Sequence, residues 1–340
     1  MAKRLTLIPL QEKIKILTDS YVKLEQFIRG KLAGIKSFSS NTLQKKEREV
    51  LEAINRQDKI NQKWVATYLP QAYRRASAYG KWQILRLPGR DASRPEPKKK
   101  LFEKVKGKEI DKSNARALEY MIEANRSYRF AIKTFFRSLR KTKKKLNIQN
   151  FVDHWGEKLN QNIDEIKEWS LELLPKVTRA GFKYEATPTL QEVKKRVTKA
   201  FADNFGDFDF IQVPLKKGGF RNYKPTKYIT MVARSEMVQI QSQAVKDRCR
   251  QYDNDLVQFS EHANPCPICE PFGAQVFSIS GKSKIYPPLQ DEPPLHPHCE
   301  HHLQPVSLEL IELEGEKGFP KKPDWGLTVE SRLADLKKAA

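Results

Sequence analysis

Apolar residues recur every three, four or seven positions over most of the first two hundred residues. This spacing predicts helices from about Leu10 to Tyr79 with a break near Ser37 to Thr42, and again from about Lys112 to Lys145. Further stripes predict helices around Trp155 to Leu174 and from Leu190 to Phe201. Each helix has one apolar side and a charged remainder, which is typical of helices that pack against one another by a single face.

The pattern changes after residue 205. Phe210 to Leu215 is predicted to be a strand and is followed by a turn at Lys217 to Phe220. A long helix is predicted from Thr226 to Tyr252, with shorter strands at Asp255 to Ser260 and Gln275 to Ile279. The expected fold class is therefore mainly α, with a small α+β module in the C-terminal part.

Five regions are expected along the chain. Pro and basic residues concentrate between Leu87 and Lys108, as in Arg94-Pro95-Glu96-Pro97, and this composition is typical of a linker. The regions are an N-terminal helical region (1–87), a basic Pro-rich linker (88–110), a second helical region with a basic patch (111–205), an α+β module (206–310) and a C-terminal tail (311–340).

The charge balance indicates a polyanionic partner. The chain has 63 Lys and Arg against 41 Asp and Glu, a net charge of +22, and nucleic acid is the first partner that such an excess suggests. Neither an export signal nor a run of about 18 apolar residues is found, so we expect a soluble protein made in a cytoplasm, with no membrane partner.

One run concentrates this charge directly after Phe135 and Phe136. It is an expected site of non-specific binding to double-stranded DNA through phosphate contacts; the competing interpretation is an ordinary solvated face. Its cations are Arg137, Arg140, Lys141, Lys143, Lys144 and Lys145.

Three of the four cysteines lie within 34 positions, beside four of the six histidines. Cys266 and Cys269 are two residues apart, a spacing at which one tight turn presents two sulfurs to one ion. His296 and Cys299 repeat that spacing after the Pro-rich stretch from Tyr286 to Leu295. We predict a structural Zn²⁺ ion that supplies order where little apolar core is available.

The fourth ligand is open at this level. The favoured set is Cys266, Cys269, His296 and Cys299, with His301 as the main substitute for His296 and His298 as a further possibility. The alternative is buried thiols and surface histidines that bind no metal. Cys249, on the predicted long helix, is expected in the core, and Arg234 on the same helix is expected to need an acidic or carbonyl partner.

Two enzymatic interpretations fit less well. A nucleobase deaminase needs an upstream His or Cys two positions before a catalytic Glu, but Gly156 follows His154 and Gln251 follows Cys249 at that distance. An HNH-type nuclease has no candidate for its central asparagine, because none occurs after Asn264. We therefore expect that the protein is not an enzyme.

The motifs between about Tyr228 and Pro305 resemble the phage minor capsid protein 2 family, which is similar to the Mu F group of phage head morphogenesis proteins. The resemblance is carried by Val232-Ala233-Arg234-Ser235-Glu236, Leu256 to His262, Cys266-Pro267-Ile268-Cys269-Glu270-Pro271-Phe272, Val276 to Gly281 and Pro294 to His301. By this resemblance, Cys266, Cys269, His296, Cys299 and His301 are the motif positions. His298 and Glu300 stand where the family often has Asn and Arg, which adds one possible ligand and reverses one charge.

The resemblance implies a minor structural protein of the phage head. Its expected partners are the portal protein, the major capsid or scaffold proteins and packaged DNA. Its expected location is the virion, at the portal vertex, after assembly in the host cytoplasm. The alternatives are a zinc-dependent nucleic-acid-binding protein and an HNH-like metal-dependent nuclease or toxin.

Overall fold

A computed structural model describes residues 10–88, 99–141, 190–203, 205, 211–214, 220–261, 264–315 and 323–339. These residues are mainly helical, as predicted. In chain order the helices are α1 (Leu10–Ala33), α2 (Ser40–Ile84), α3 (Lys99–Lys141), α4 (Leu190–Asp203), α5 (Pro225–Gln251), α6 (Leu308–Gly315) and α7 (Val329–Ala339).

The helix starts follow from local chemistry. Ser39 precedes α2, and its Oγ accepts a hydrogen bond from the Thr42 N–H at 3.3 Å, which satisfies one free donor of the first turn. Pro225 occupies the first position of α5, where a missing N–H costs nothing. At α7, Thr328 and Ser331 cap each other through two hydrogen bonds of 2.9 Å.

Strands form two antiparallel sheets. A two-stranded hairpin pairs β1 (Ile211–Pro214) with β2 (Phe220–Tyr223). The second sheet has the order β4 (Val276–Ser278), β3 (Leu256–Phe259), β5 (Leu303–Pro305). In its register Val257 lies opposite both Phe277 and Pro305.

Chain contacts divide the protein into two compact units. Residues 15–61 and 120–230 form one, which we call the helical unit; residues 1–14, 62–119 and 231–340 form the other, the sheet unit. Within the helical unit the core is aromatic: Phe135 stacks on Phe201 with centroids 3.9 Å apart, and Tyr128 stacks on Phe205 at 5.5 Å.

In the sheet unit, alternate residues of the three-stranded sheet point to opposite cores. One core contains Val257, Phe259, Phe277 and Leu303 together with Ile84 at the end of α2. The other is smaller. Its buried members are Leu256, Val276, Tyr286, Val306 and Ile311. Val245 and Cys249 of α5 join the first core, so the prediction that Cys249 is a core residue is confirmed.

The structure adds elements that the hydrophobic pattern did not predict. β2, β5, α6 and α7 are present where a turn, a connection and a tail were expected, and α3 begins at Lys99, inside the predicted linker. The helix predicted around Trp155 to Leu174 lies outside the described residues.

Candidate metal centre

Strand pairing brings the two halves of the cysteine–histidine motif together. Phe259 at the end of β3 lies opposite Leu303 at the start of β5. The pairing continues beyond the strands, where the Ser260 N–H donates to the His302 carbonyl at 2.9 Å. The segment that leaves β3 toward Cys266 and the segment that enters β5 from Cys299 are therefore neighbours.

Each half is a tight turn of four residues. In the first, the N–H groups of Cys269 and Glu270 both donate to the Cys266 carbonyl at 2.9 Å. In the second, the Cys299 N–H donates to the His296 carbonyl at 3.1 Å. Cys266, Cys269 and His296 of the two turns face one another, and Cys299 lies beside Cys269.

Cys266, Cys269 and His296 form a cluster whose ligand atoms all lie within 4.8 Å of one another. His296 Nε2 is 3.2 Å from Cys266 Sγ and 2.8 Å from Cys269 Sγ, and Cys299 Sγ is 3.8 Å from Cys269 Sγ. Metal–sulfur bonds of about 2.3 Å in a tetrahedron give sulfur–sulfur edges of about 3.8 Å. The Cys269–Cys299 distance fits that edge, and the cluster could hold a metal ion.

The His296 ring has the tautomer that a metal ligand needs. Its Nδ1 lies 2.7 Å from the Pro297 carbonyl oxygen, which can only accept, so Nδ1 carries the proton. In the neutral ring Nε2 is then the unprotonated nitrogen, and it is Nε2 that faces the sulfurs. A hydrogen bond of this kind from the second nitrogen orients histidine ligands in metalloproteins.

The pKa values of Cys269 and Cys299 are shifted in opposite directions. The hydrogen bond from Cys269 lowers the pKa of Cys299, and the backbone N–H groups of Leu295 and His301 lower it further. The same hydrogen bond, followed by burial, raises the pKa of Cys269. Of Cys269 and Cys299, it is thus Cys299 whose thiolate is favoured, and the thiolate is the form that binds metal.

His301 lies beside this cluster with its ring turned to the backbone. Its side chain is fully buried, with Nδ1 2.5 Å from the Ser260 carbonyl and Nε2 3.2 Å from the Cys269 carbonyl. The ring thus bridges the end of β3 and the first turn. His298, the further candidate, lies within the second turn and has a positive φ of 66°. Burial lowers the pKa of the neighbouring His302 to about 4.

Two arginines connect neighbouring helices to the two turns. The sequence did not identify the partner residue of either arginine. Arg234 of α5 lies 3.1 Å from Glu300, just past the second turn, so it has the acidic partner that was expected. Arg332 of α7 donates from Nε to the Pro267 carbonyl, inside the first turn, at 2.9 Å. No sequence signal identifies Arg332, because the segment that carries it was predicted to be a tail.

The predicted basic patch is only partly described. Arg137 is exposed on α3, whereas Arg140 forms an ion pair with Glu47 in the helical unit. Lys141 is the last residue of α3, and Lys143, Lys144 and Lys145 lie outside the described residues. Two exposed cations of α3 that were not singled out, Arg126 and Lys133, precede Arg137.

Among the described helices, none combines the length and the apolar character needed to cross a membrane. Searches of curated proteins and of solved structures gave no match to the chain.

A comparison with protein families matched residues 203–315 to the family described as phage minor capsid protein 2. The match includes all five motif positions of the cysteine–histidine cluster and supports a structural role in a phage head. The resemblance seen in the sequence is thereby confirmed over residues 203–315, which match the phage minor capsid protein 2 family.

Proposed function

We propose that this protein is a non-enzymatic minor component of the phage head that sits at the portal vertex. In this proposal it contacts the portal protein and the major capsid or scaffold proteins, and it touches packaged double-stranded DNA non-specifically through basic residues. One structural Zn²⁺ ion orders its α+β module, residues 206–310. The family match over residues 203–315 supports the head role, and the sulfur–nitrogen cluster carries the zinc proposal.

The ligand set that fits best is Cys266, Cys269, His296 and Cys299. Three sulfurs and one imidazole nitrogen are soft and borderline ligands, which suit Zn²⁺ rather than Ca²⁺ or Mg²⁺. A bound Zn²⁺ ion would offset two of the three thiolate charges and cross-link the two turns. His301 then acts as a support that fixes the first turn against β3, since both of its nitrogens face carbonyl oxygens.

The structural character of the site follows from its surroundings. Cys269 and Cys299 are 1% exposed, so water has little access to the sulfurs at the centre. Four protein ligands would fill a tetrahedral site and leave no position for a reacting water. Glu300, the acidic residue next to Cys299, pairs with Arg234.

Elemental analysis of the purified full-length protein tests the zinc proposal. We expect one zinc per chain in the wild type and loss of that zinc in Cys269→Ser. Cys249→Ala is the matched control, because Cys249 is equally buried but belongs to the core, and it should keep its zinc. Protein purified without chelator that contains no stoichiometric transition metal would contradict the proposal.

Cobalt substitution separates the two histidines. The visible spectrum of the Co²⁺ form reports the ligand set, so His296→Ala should change its band positions. His301→Ala should keep the bands and weaken metal affinity by roughly 10- to 100-fold, as loss of a supporting contact does. If His301→Ala changes the band positions and His296→Ala does not, then His301 is the ligand and His296 is the supporting residue.

Co-purification tests the head role. The portal protein of the same phage, co-expressed with this chain, should be retained by the tagged full-length protein and by Cys249→Ala. DNA contact is tested separately by a mobility-shift assay with duplex DNA, in which binding at low salt should weaken steeply as salt rises. Absence of binding at low salt would refute the DNA contact and leave the head role standing.

A further inference from the structure

The C-terminal helix α7 contacts both halves of the candidate metal centre within the sheet unit. Its Arg332 donates from Nε to the Pro267 carbonyl at 2.9 Å, and Pro267 directly follows Cys266 in the first turn. Its first residue, Val329, donates its N–H to the Asp291 carboxylate at 2.8 Å. One helix therefore connects the first turn to the segment that leads into the second turn.

Asp291 caps α7 from outside the helix. The first N–H groups of a helix have no partner within it, and a carboxylate placed there accepts a hydrogen bond and favours the positive end of the helix dipole. The segment that carries Asp291 is itself fixed, because the next residue, Glu292, pairs with the buried Lys246 of α5. Leu295, which precedes His296, packs against the first core. The segment that positions His296 thus also positions the start of α7.

Apolar contacts dock the start of α7 on the same part of the fold. Leu327 is 9% exposed and belongs to the first core together with Phe272 and Leu303, and Val329 packs against that core. Phe272 lies just after the first turn, and Leu303 begins β5 after the second turn. Burial therefore keeps α7 close to both turns, and the two hydrogen bonds fix how it holds them.

Two of the four proposed ligands are accessible from solvent. Cys269 and Cys299 are 1% exposed, whereas Cys266 and His296 are half-buried. A chelator therefore approaches an ion at this site from the side of Cys266 and His296, and one of these two ligands has to move away before the ion leaves. These are the ligands whose own segments α7 contacts.

We propose that α7 is a latch on the zinc site, in which Arg332 and Asp291 are positioning residues that hold the turns of Cys266 and His296 together and slow metal exchange. Contacts outside the ligand set orient metal ligands, and their loss weakens metal binding. The coupling is reciprocal, so a bound ion also stabilises the docked position of α7. The inference rests on the zinc site proposed above and deepens it.

Two substitutions of Arg332 separate its hydrogen bond from its bulk. Arg332→Met keeps an unbranched side chain and has no donor, whereas Arg332→Gln places an amide nitrogen at the same number of bonds from the backbone as Nε. Loss of one hydrogen bond changes an equilibrium by about 3- to 10-fold. Zinc release from the full-length protein to an excess of a chromogenic chelator should be faster by that factor in Arg332→Met and close to the wild-type rate in Arg332→Gln.

Asp291 and an unrelated lysine of α7 supply the matching pair. Asp291→Ala removes the cap and should also speed zinc release by about 3- to 10-fold, whereas Asp291→Asn keeps an acceptor oxygen and should release zinc at nearly the wild-type rate. Lys338→Met is the control on the same helix, since Lys338 is exposed in its last turn, and it should leave the rate unchanged.

Two further measurements show whether α7 acts through the ligands. The Co²⁺ forms of Arg332→Met and Asp291→Ala should keep the band positions of the wild type, because no ligand has been removed. Hydrogen exchange of the α7 amides in the zinc-loaded protein should be faster in both variants and should return to the wild-type rate in Arg332→Gln.

The outcomes separate the latch from the zinc site. Wild-type protein without zinc overturns both. Zinc-loaded protein that releases its ion equally fast in the wild type, Arg332→Met and Asp291→Ala overturns the latch and keeps the site, even where the α7 amides exchange faster, because the contacts then support α7 alone. Faster release in Lys338→Met as well would overturn the assignment to Arg332 and Asp291.

Discussion

A buried ion pair joins α3 to α5 within the sheet unit. The Arg116 guanidinium donates two hydrogen bonds of 2.7 Å to the Glu236 carboxylate, and the Ser113 hydroxyl donates a third at 3.2 Å. The Glu236 side chain is 5% exposed and that of Arg116 is 28% exposed. This asymmetry predicts that the two single substitutions will have unequal costs.

Arg116→Met is expected to be the more damaging change. It leaves a buried carboxylate with the Ser113 hydroxyl, and removal of one partner from a buried pair costs about 4 kcal/mol. Glu236→Leu is expected to cost about 2 kcal/mol, because the Arg116 side chain can turn to water and recover solvation. The double variant should lie within about 1 kcal/mol of the wild type, since neither charge is then left buried.

Urea unfolding followed by far-UV circular dichroism measures these differences. Arg126→Met is the matched control on the same helix: its partner Glu123 is exposed, so the free energy of unfolding should change by less than about 0.5 kcal/mol. Two results would refute the assignment of the destabilisation to buried charge. One is an equal loss of unfolding free energy in the two single variants, and the other is a loss in the double variant equal to the sum of the two single losses.

Three further predictions concern packing, pH and the C-terminal helix. Phe201→Ala should lower the free energy of unfolding by about 3 to 5 kcal/mol, because Phe201 is buried in the aromatic core, whereas the exposed Ile122→Ala should change it little in the same urea titration. Burial raises the pKa of Asp247, so the folded state binds its proton more tightly and this group's contribution to stability falls as pH rises above about 4. The melting temperature of Asp247→Asn, relative to that of the wild type, should therefore be higher at pH 7 than at pH 4. The opposite order of these two differences would contradict the direction of the pKa shift. Arg332→Ala should speed proteolytic removal of α7 while the rest of the chain keeps its melting temperature, and an unchanged digestion rate would mean that the contact with Pro267 contributes little.

Sequence reasoning located the long elements because their signals are local. The helix predicted from Thr226 to Tyr252 is observed from Pro225 to Gln251, since Pro225 marks its start. The strands predicted at Asp255 to Ser260 and Gln275 to Ile279 are observed within those limits. Successive side chains of these strands point to the two cores in turn, and this produces the two-residue hydrophobic period in the sequence.

The shorter elements depend on tertiary contacts that the sequence does not reveal. β5 has three residues, one of them Pro305, and exists as a strand because β3 supplies its partner. Arg140 is predicted as a DNA contact from its position in a basic run, and that contact stays a prediction; the structure pairs Arg140 with Glu47, 93 positions away in the chain. A run of like charges predicts a polyanion surface well only where folding brings no acidic residue to it.

The candidate metal centre combines both kinds of information. Each two-residue spacing is enough to form a turn with two ligands, which is why the four favoured positions could be proposed from the sequence. Which histidine faces the sulfurs is decided by the pairing of β3 with β5, because that pairing places Ser260 and Cys269 so that their carbonyls face the two nitrogens of the His301 ring. His296 occupies the position next to the sulfurs, with Nε2 2.8 Å from Cys269 Sγ. The proposed zinc ion would therefore bind an arrangement that the sheet has already prepared, and its binding energy would be coupled to the pairing of β3 with β5.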